Sequence, residues 1–271
     1  MLLISLLSFV ALLVISILIG KAVLTIRFRQ QSKLLYSLSK NISDIYFYYE
    51  QLAALPEVVQ HYFKHVLKEG QPYISNVSFT HDGQFKAGID KNWMSIAGQH
   101  FATMERPGFI WKGVTMMFTA RDMYIKDQGR LVVALFSLIN VVNARGESYN
   151  QGELLRWLGE SVLYPTNLLP SDRLKWSEID SQHAGLILTY KGMSLPFKIT
   201  FNALGEITQM ETERYMDASN LKPWLINMSD YKEMSGVLVP SRFEVLWRLE
   251  KGDFSYARFN ILRLEYNIPA A

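Results

Sequence analysis

The chain opens on eighteen residues, Leu2 to Ile19, that hold nothing more polar than Ser5, Ser8 and Ser16. That is close to the ~20 residues a helix needs to cross ~30 Å of hydrocarbon, and if Lys21 snorkels the apolar register extends to Ile26. A cleaved signal would carry a basic head, a shorter apolar stretch and a small-residue exit site; no Lys or Arg precedes this run. The pattern predicts a retained membrane anchor over 1–26. A juxtamembrane helix and linker follow over 27–52, broken at Ser39-Lys40-Asn41, and then one β-rich domain over 53–271.

Past the linker, LPEVVQHYFKHVLKEG sets Val58, Val59, Tyr62, Phe63 and Val66 at steps of one, three and four behind Pro56. This predicts a short amphipathic helix with proline in its first turn and a stop at Gly70. From Pro72 the period becomes two, as in FKITFN, and turn signals recur: HDGQ at 81, ERPG at 105, KDQG at 126, ALGE at 203 and EKGD at 250. One helix, over 151–163, interrupts the strands at NQGELLRWLGESV, with Asn150 and Glu153 at capping-box spacing and Leu154, Leu155, Trp157, Leu158 and Val162 as its apolar face. The segment RFEVLWRLEKGDFSYARFNILRLEY reads as a long hairpin whose four-residue turn sets Trp247 opposite Tyr256. The expected fold is mainly β (α+β), with about nine to eleven strands in a curved antiparallel sheet or open half-barrel packed on one or two helices.

Charge refines this picture. Positions 1–40 carry five basic residues (Lys21, Arg27, Arg29, Lys33, Lys40) and no acidic one, so the net +3 of the whole chain leaves −2 for the remainder. The globular part lacks the basic surface that nucleic acid demands. The basic cluster follows the apolar run, so the positive-inside rule puts the C-terminal bulk in the cytoplasm and makes the cluster a collar for anionic lipid headgroups or a stop-transfer flank. The absence of cysteine excludes disulfides, thiolate catalysis and zinc knuckles.

Candidate chemistry is sparse. His61 and His65 stand four apart on the first amphipathic helix, yet no glutamate accompanies them and Lys64 intervenes, so they read as a solvated helix face and no metal site is expected. His81, His100 and His183 have no partner at motif spacing, and no G-x-S-x-G, G-x-G-x-x-G or P-loop occurs. In EITQMETERY, a core-facing Met210 carries Thr208, Thr212 and Arg214 to the same face. An inward arginine needs a counter-charge: a structural carboxylate such as Glu153 or Asp180, or the anionic head of a ligand. The six tryptophans, Trp93, Trp111, Trp157, Trp176, Trp224 and Trp247, either fill the core or line an apolar cavity.

The segments LPEVVQHYFKHVLKEGQPYI, GQFKAG, WMSIAGQH, GFIWKG, GELLRWLGE, YPTNLLPS, KWSEID and LVPSRFEVLWRLEKGDFSYARFNI resemble an uncharacterised family of bacterial proteins that carry a domain of unknown function. The resemblance covers roughly positions 53–266, and many members have one N-terminal span. ATMERPGFIWKGVTMMFTARDMYIKDQGRLVV is further similar to a stretch of the periplasmic lipoprotein-carrier (LolA-like) half-barrels, through Arg106, Pro107, Phe109, Trp111 and the Asp127 to Gly129 turn. That resemblance implies an open antiparallel barrel around helices that plug an apolar cavity, with 151–163 as the plug. It also implies an extracytoplasmic domain, the alternative to the orientation that the charges favour.

The leading expectation is a single-pass, membrane-anchored, non-enzymatic domain that binds a lipid or other hydrophobic ligand. Trp157, Trp176, Arg214 and Trp247 would bind it, with Glu153 and Asp180 as candidate polar partners and no cofactor. One alternative is a structural module that engages another membrane protein; another is a hydrolase or isomerase using Glu153, Asp180 or His183.

Overall fold

The computed structural model describes residues 1–217 and 219–269. Its first element, α1 (Leu2–Ser37), is one unbroken helix. None of its N-terminal half is buried, and it is long and apolar enough to cross a membrane, a test that a signal sequence also passes. Its C-terminal half is docked: Leu24, Phe28, Ser32 and Leu35 are buried. Residues 27–37 are thus fixed to the domain, with a 3-10 turn (Tyr49–Leu52) and the bridge of Tyr46 to Pro72 completing the connector. The second helix, α2 (Glu57–Val66), starts beside Pro56 and buries Val59, Tyr62, Phe63 and Val66, the face its spacing predicts.

Thirteen strands follow. They are β1 (Asn76–Phe85), β2 (Met94–Thr103), β3 (Gly108–Val114), β4 (Phe118–Ile125), β5 (Gln128–Leu135), β6 (Ile139–Arg145), β7 (Leu174–Asp180), β8 (His183–Tyr190), β9 (Met193–Phe201), β10 (Ile207–Tyr215), β11 (Leu221–Met234), β12 (Val237–Leu249) and β13 (Gly252–Tyr266). They make one open, curved antiparallel sheet in the order β6-β5-β4-β3-β2-β1-β13-β12-β11-β10-β9-β8-β7. The count exceeds the expected nine to eleven for a physical reason. β3 and β4 are buried on both faces, so they lack the alternation that marks a half-buried strand. Twist accumulated across the sheet brings the β4–β5 turn against β8, where the Tyr190 hydroxyl donates to Asp127 at 2.8 Å.

Between the edge strands β6 and β7 the chain crosses the concave face as α3 (Glu147–Gly159), followed by two 3-10 turns. α3 begins at Gly146, one turn earlier than the Asn150 cap suggests. Asn150 instead accepts from the Gly129 amide at 2.8 Å and ties the helix to β5. Leu154, Leu155, Trp157 and Leu158 join α2 and the inward strand residues in the main core. The convex face of β2–β4 forms a second cluster, in which Phe101, Ile110 and Met123 receive Phe28 and Leu35 of α1. Arg121 there donates to Gln31 at 2.7 Å.

Two turn readings change. HDGQ lies inside β1, where Gly83 lets the Arg258 carbonyl of β13 approach. The β12–β13 hairpin turns on two residues, Glu250 and Lys251, so Trp247 faces Phe254; Tyr256 is the extra residue of a bulge. Its ring nevertheless stacks on Trp247, with centroids 6.2 Å apart.

Candidate functional site

Because α3 covers only part of the concave face, a cavity of about 850 Å³ remains beside it, within the ~300–1,000 Å³ range of ligand pockets. Phe85, Phe118, Val133, Ile226, Trp247 and Phe254 wall it. Strand alternation also brings the small side chains of Ala120 and Ala257 to this surface, where larger ones would fill it. Ala87, Ile89, Asp90, Met216 and Asp217 line it too and are exposed, so they mark its mouth.

The floor is charged. Glu153, Arg156 and Glu160 recur at i, i+3 and i+7, the pattern of a solvated helix face, yet all three border the cavity. Arg156 donates from Nη1 to Asp122 Oδ2 of β4 at 2.6 Å and from Nε to Glu160 Oε1 at 2.9 Å. Its guanidinium lies over Trp111, 4.8 Å from the ring centre. Arg214 points inward from β10, as the Met210 register predicts, with Nη2 3.6 Å from Glu153 Oε1 and its guanidinium 4.6 Å from the centre of Trp224. The indoles are oriented in turn: Trp111 Nε1 donates to His81 Nε2 at 2.8 Å, and Trp224 Nε1 to the Tyr256 hydroxyl at 3.0 Å. Among the described residues, Asp122 Oδ1, Glu153 Oε2, Glu160 Oε2 and Arg214 Nε are buried without a hydrogen-bond partner. Such groups are costly when left unmet.

Burial holds the Glu153 carboxyl well above its ordinary 4.5; Asp122 adds to this, while Arg214 and Arg156 oppose it. Glu160 is also raised by burial, against the pull of Arg156. Burial lowers His81 to about 4 and, with Arg156 adding to it, takes His100 well below 6.5. A carboxyl raised in the folded state keeps its proton after the unfolded chain has released it, so stability falls as pH climbs from the unfolded value to the folded one. The two histidines act in the opposite sense, but only below 6.5. Unfolding free energy is therefore expected to decline as pH rises above about 6.5, where the histidines no longer titrate, by at most about 1.4 kcal/mol per pH unit from Glu153 until its folded pKa is passed. Denaturant titrations should show that decline reduced in Glu153→Gln. An unchanged slope in the variant would refute the assignment.

Of the residues singled out in the sequence, Arg214, Trp247 and Glu153 meet at this cavity. Trp157 and Trp176 do not line it. The first is buried in the core with Nε1 donating to the Thr103 carbonyl at 3.0 Å; the second packs on Phe63 and Phe201, with Nε1 donating to the Leu168 carbonyl at 2.8 Å. Asp180 sits on the exposed β7–β8 turn beside His183, whose Nδ1 is 2.8 Å away. Sequence reading raised Trp111 and Trp224 only among six tryptophans that fill the core or line a cavity, and it missed the roles of His81, Asp122, Arg156 and Glu160. The helical stripe was the available signal for the last two.

The sequence profile described as Family of unknown function (DUF6544) matches residues 46–259. The chain belongs to this family. The matched region contains every polar cavity residue named above and leaves α1 outside it. No curated protein matches the chain. Among solved structures, the chain is similar to a LolA superfamily protein of Nitrosomonas europaea, at 10% identity and a TM-score of 0.45, over 78% of this chain and 93% of that one. It is also similar to a domain of Vibrio parahaemolyticus described as an outer membrane lipoprotein-sorting protein, at 12% identity and a TM-score of 0.42, over 78% and 91%.

Proposed function

We propose that the protein is a single-pass membrane protein whose β-rich domain, residues 53–271, holds the hydrocarbon of an amphiphile in the concave cavity and its polar head against the charged floor. The observation that carries this reading is the apolar cavity of about 850 Å³ with unpartnered buried polar atoms at its base. Each buried methylene of the tail would contribute ~0.8 kcal/mol. Three carboxyls face two guanidiniums, and the proton held by Glu153 leaves the group neutral. Arg214 Nη2 already has the Glu153 carboxyl 3.6 Å away. These features favour an uncharged, hydroxyl-bearing head over the anionic head first considered for Arg214: Asp122 Oδ1 and Glu160 Oε2 can accept, and Arg214 Nε and the protonated Glu153 carboxyl can donate. On the positive-inside reading the domain lies in the cytoplasm.

The alternative of a module engaging a membrane partner calls for a self-filled interior, and an open cavity speaks for the ligand. An acid–base enzyme is a second reading, favoured by the raised Glu153 beside Asp122. The test is a vesicle-borne acyl chain carrying a diazirine, photolysed with the full-length protein and mapped by peptide mass spectrometry. Crosslinks on Val133, Ile226 and Phe254 are expected, and labelling confined to α1 would refute the proposal. Conversion of the captured amphiphile by the native chain, lost in Glu153→Gln, would decide for the enzyme.

A further inference from the structure

The direction in which α1 leaves the sheet fixes what the cavity mouth faces. Leu35 of α1 rests on Gly108 at the start of β3, and further back along the helix Gly20 rests on the β5–β6 turn. A side chain at Gly20 would collide with the Ser137 carbonyl, and the Leu138 methyl would be 3.2 Å away. The helix therefore runs along β3 and β4 and clears the sheet at the turns β3–β4 and β5–β6. The residues before Gly20 project about 27 Å beyond those turns at 1.5 Å per residue, close to the ~30 Å hydrocarbon thickness.

The same end of the sheet exposes a set of large apolar side chains. Met116 of the β3–β4 turn is 92% exposed, Ile139 at the start of β6 is 65% exposed and Ile89 of the β1–β2 loop is 57% exposed; Met117, Phe136 and Leu138 are exposed as well. The turns at the other end of these strands read Glu105-Arg106-Pro107 and Lys126-Asp127. Six exposed apolar side chains gathered around the exit of α1 are not explained by folding of the domain. Ile89 belongs both to this rim and to the cavity mouth.

We propose that the β3–β4 and β5–β6 turns and the β1–β2 loop insert into the bilayer around α1, and hold the cavity mouth against the leaflet from which the ligand enters. The proposal rests on α1 spanning the membrane and deepens the lipid-binding reading: the amphiphile passes from leaflet to cavity without its hydrocarbon crossing water. Lys21, one residue past Gly20, then lies at headgroup level.

The native chain has no cysteine, so single-cysteine variants of the full-length protein report one site each. Met116→Cys, Leu138→Cys and Ile89→Cys would carry an environment-sensitive dye in phosphatidylcholine/phosphatidylglycerol vesicles. Gln128→Cys, at the far end of β5 and about 25 Å from its turn, serves as the aqueous control, and Leu12→Cys reports on the span. The three rim dyes are expected to shift to the blue and to lose most of their emission to lipid-borne spin labels near the headgroups. The Gln128→Cys dye should respond to aqueous iodide instead. Rim dyes as open to iodide as the control, with Leu12→Cys quenched from mid-bilayer, overturn the rim while leaving the anchor standing. A Leu12→Cys dye in water overturns both. Neither outcome alters the acyl crosslinking pattern that tests the cavity itself.

Discussion

Arg156→Met is expected to destabilise the domain by about 3–5 kcal/mol, the cost of removing one partner from a buried ion pair and stranding the other. Arg156 is the shared cation of Asp122 and Glu160, at 2.6 and 2.9 Å. Burial works against its own charge, but Glu160, Asp122 and Glu153 more than offset this and raise its pKa. Methionine keeps much of the packing on Trp111 and Phe109 and removes the charge with its two hydrogen bonds. Without the guanidinium, the carboxyl of Glu160, already raised by burial, is raised further, so it takes up a proton as pH falls. The deficit relative to the native chain should accordingly shrink as pH falls and widen as pH rises. Urea unfolding of the full chain, followed by tryptophan fluorescence, measures this. Adding Asp122→Asn should recover part of the loss, because the two sites share one interaction. A deficit below about 1 kcal/mol, or one indifferent to pH, would mean that the carboxyls are solvated and that the floor is not a buried network.

Elements with one buried face were legible in the sequence. The face of α2 can be read from Val59, Tyr62, Phe63 and Val66, and the turns at ERPG, KDQG, ALGE and EKGD all connect strands. Places where two surfaces bear on one segment were not legible. β4 packs α1 on one side and α3 on the other, so its alternation vanishes. Gly83 in HDGQ imitates a turn because close approach of a neighbouring strand also selects glycine. Arg214 could be placed inward from Met210, and Glu153 was one of two carboxylates considered for it; the choice between Glu153 and Asp180 needed the crossing of α3 over the sheet. Trp157 and Trp176 attract attention by size alone, and their indole N–H groups are satisfied by backbone carbonyls within the core. The charged stripe of α3 is locally indistinguishable from a solvated face. Only the curvature of the sheet turns it inward.

Filling the cavity is the second large effect. Ala120 of β4 is buried, pairs with Gly113 and Val133 in neighbouring strands, and presents its methyl to the cavity. In Ala120→Trp the indole, which buries on the order of 200 Å², would enter the space assigned to the ligand's hydrocarbon. Overpacking a dense core costs ~1–3 kcal/mol, but a preformed void accepts the ring, so stability should hold. Acyl crosslinking at Val133 and Phe254 should fall by about tenfold or more, since about 1.4 kcal/mol, less than two methylenes of lost burial, already gives that factor. Trp157→Phe should behave in the opposite way: it deletes the bond to the Thr103 carbonyl and lowers stability by about 1 kcal/mol, while crosslinking persists because this ring lies outside the cavity wall. If Ala120→Trp crosslinks as the native chain does, the acyl chain lies elsewhere on the protein, and the concave space is a void without a ligand.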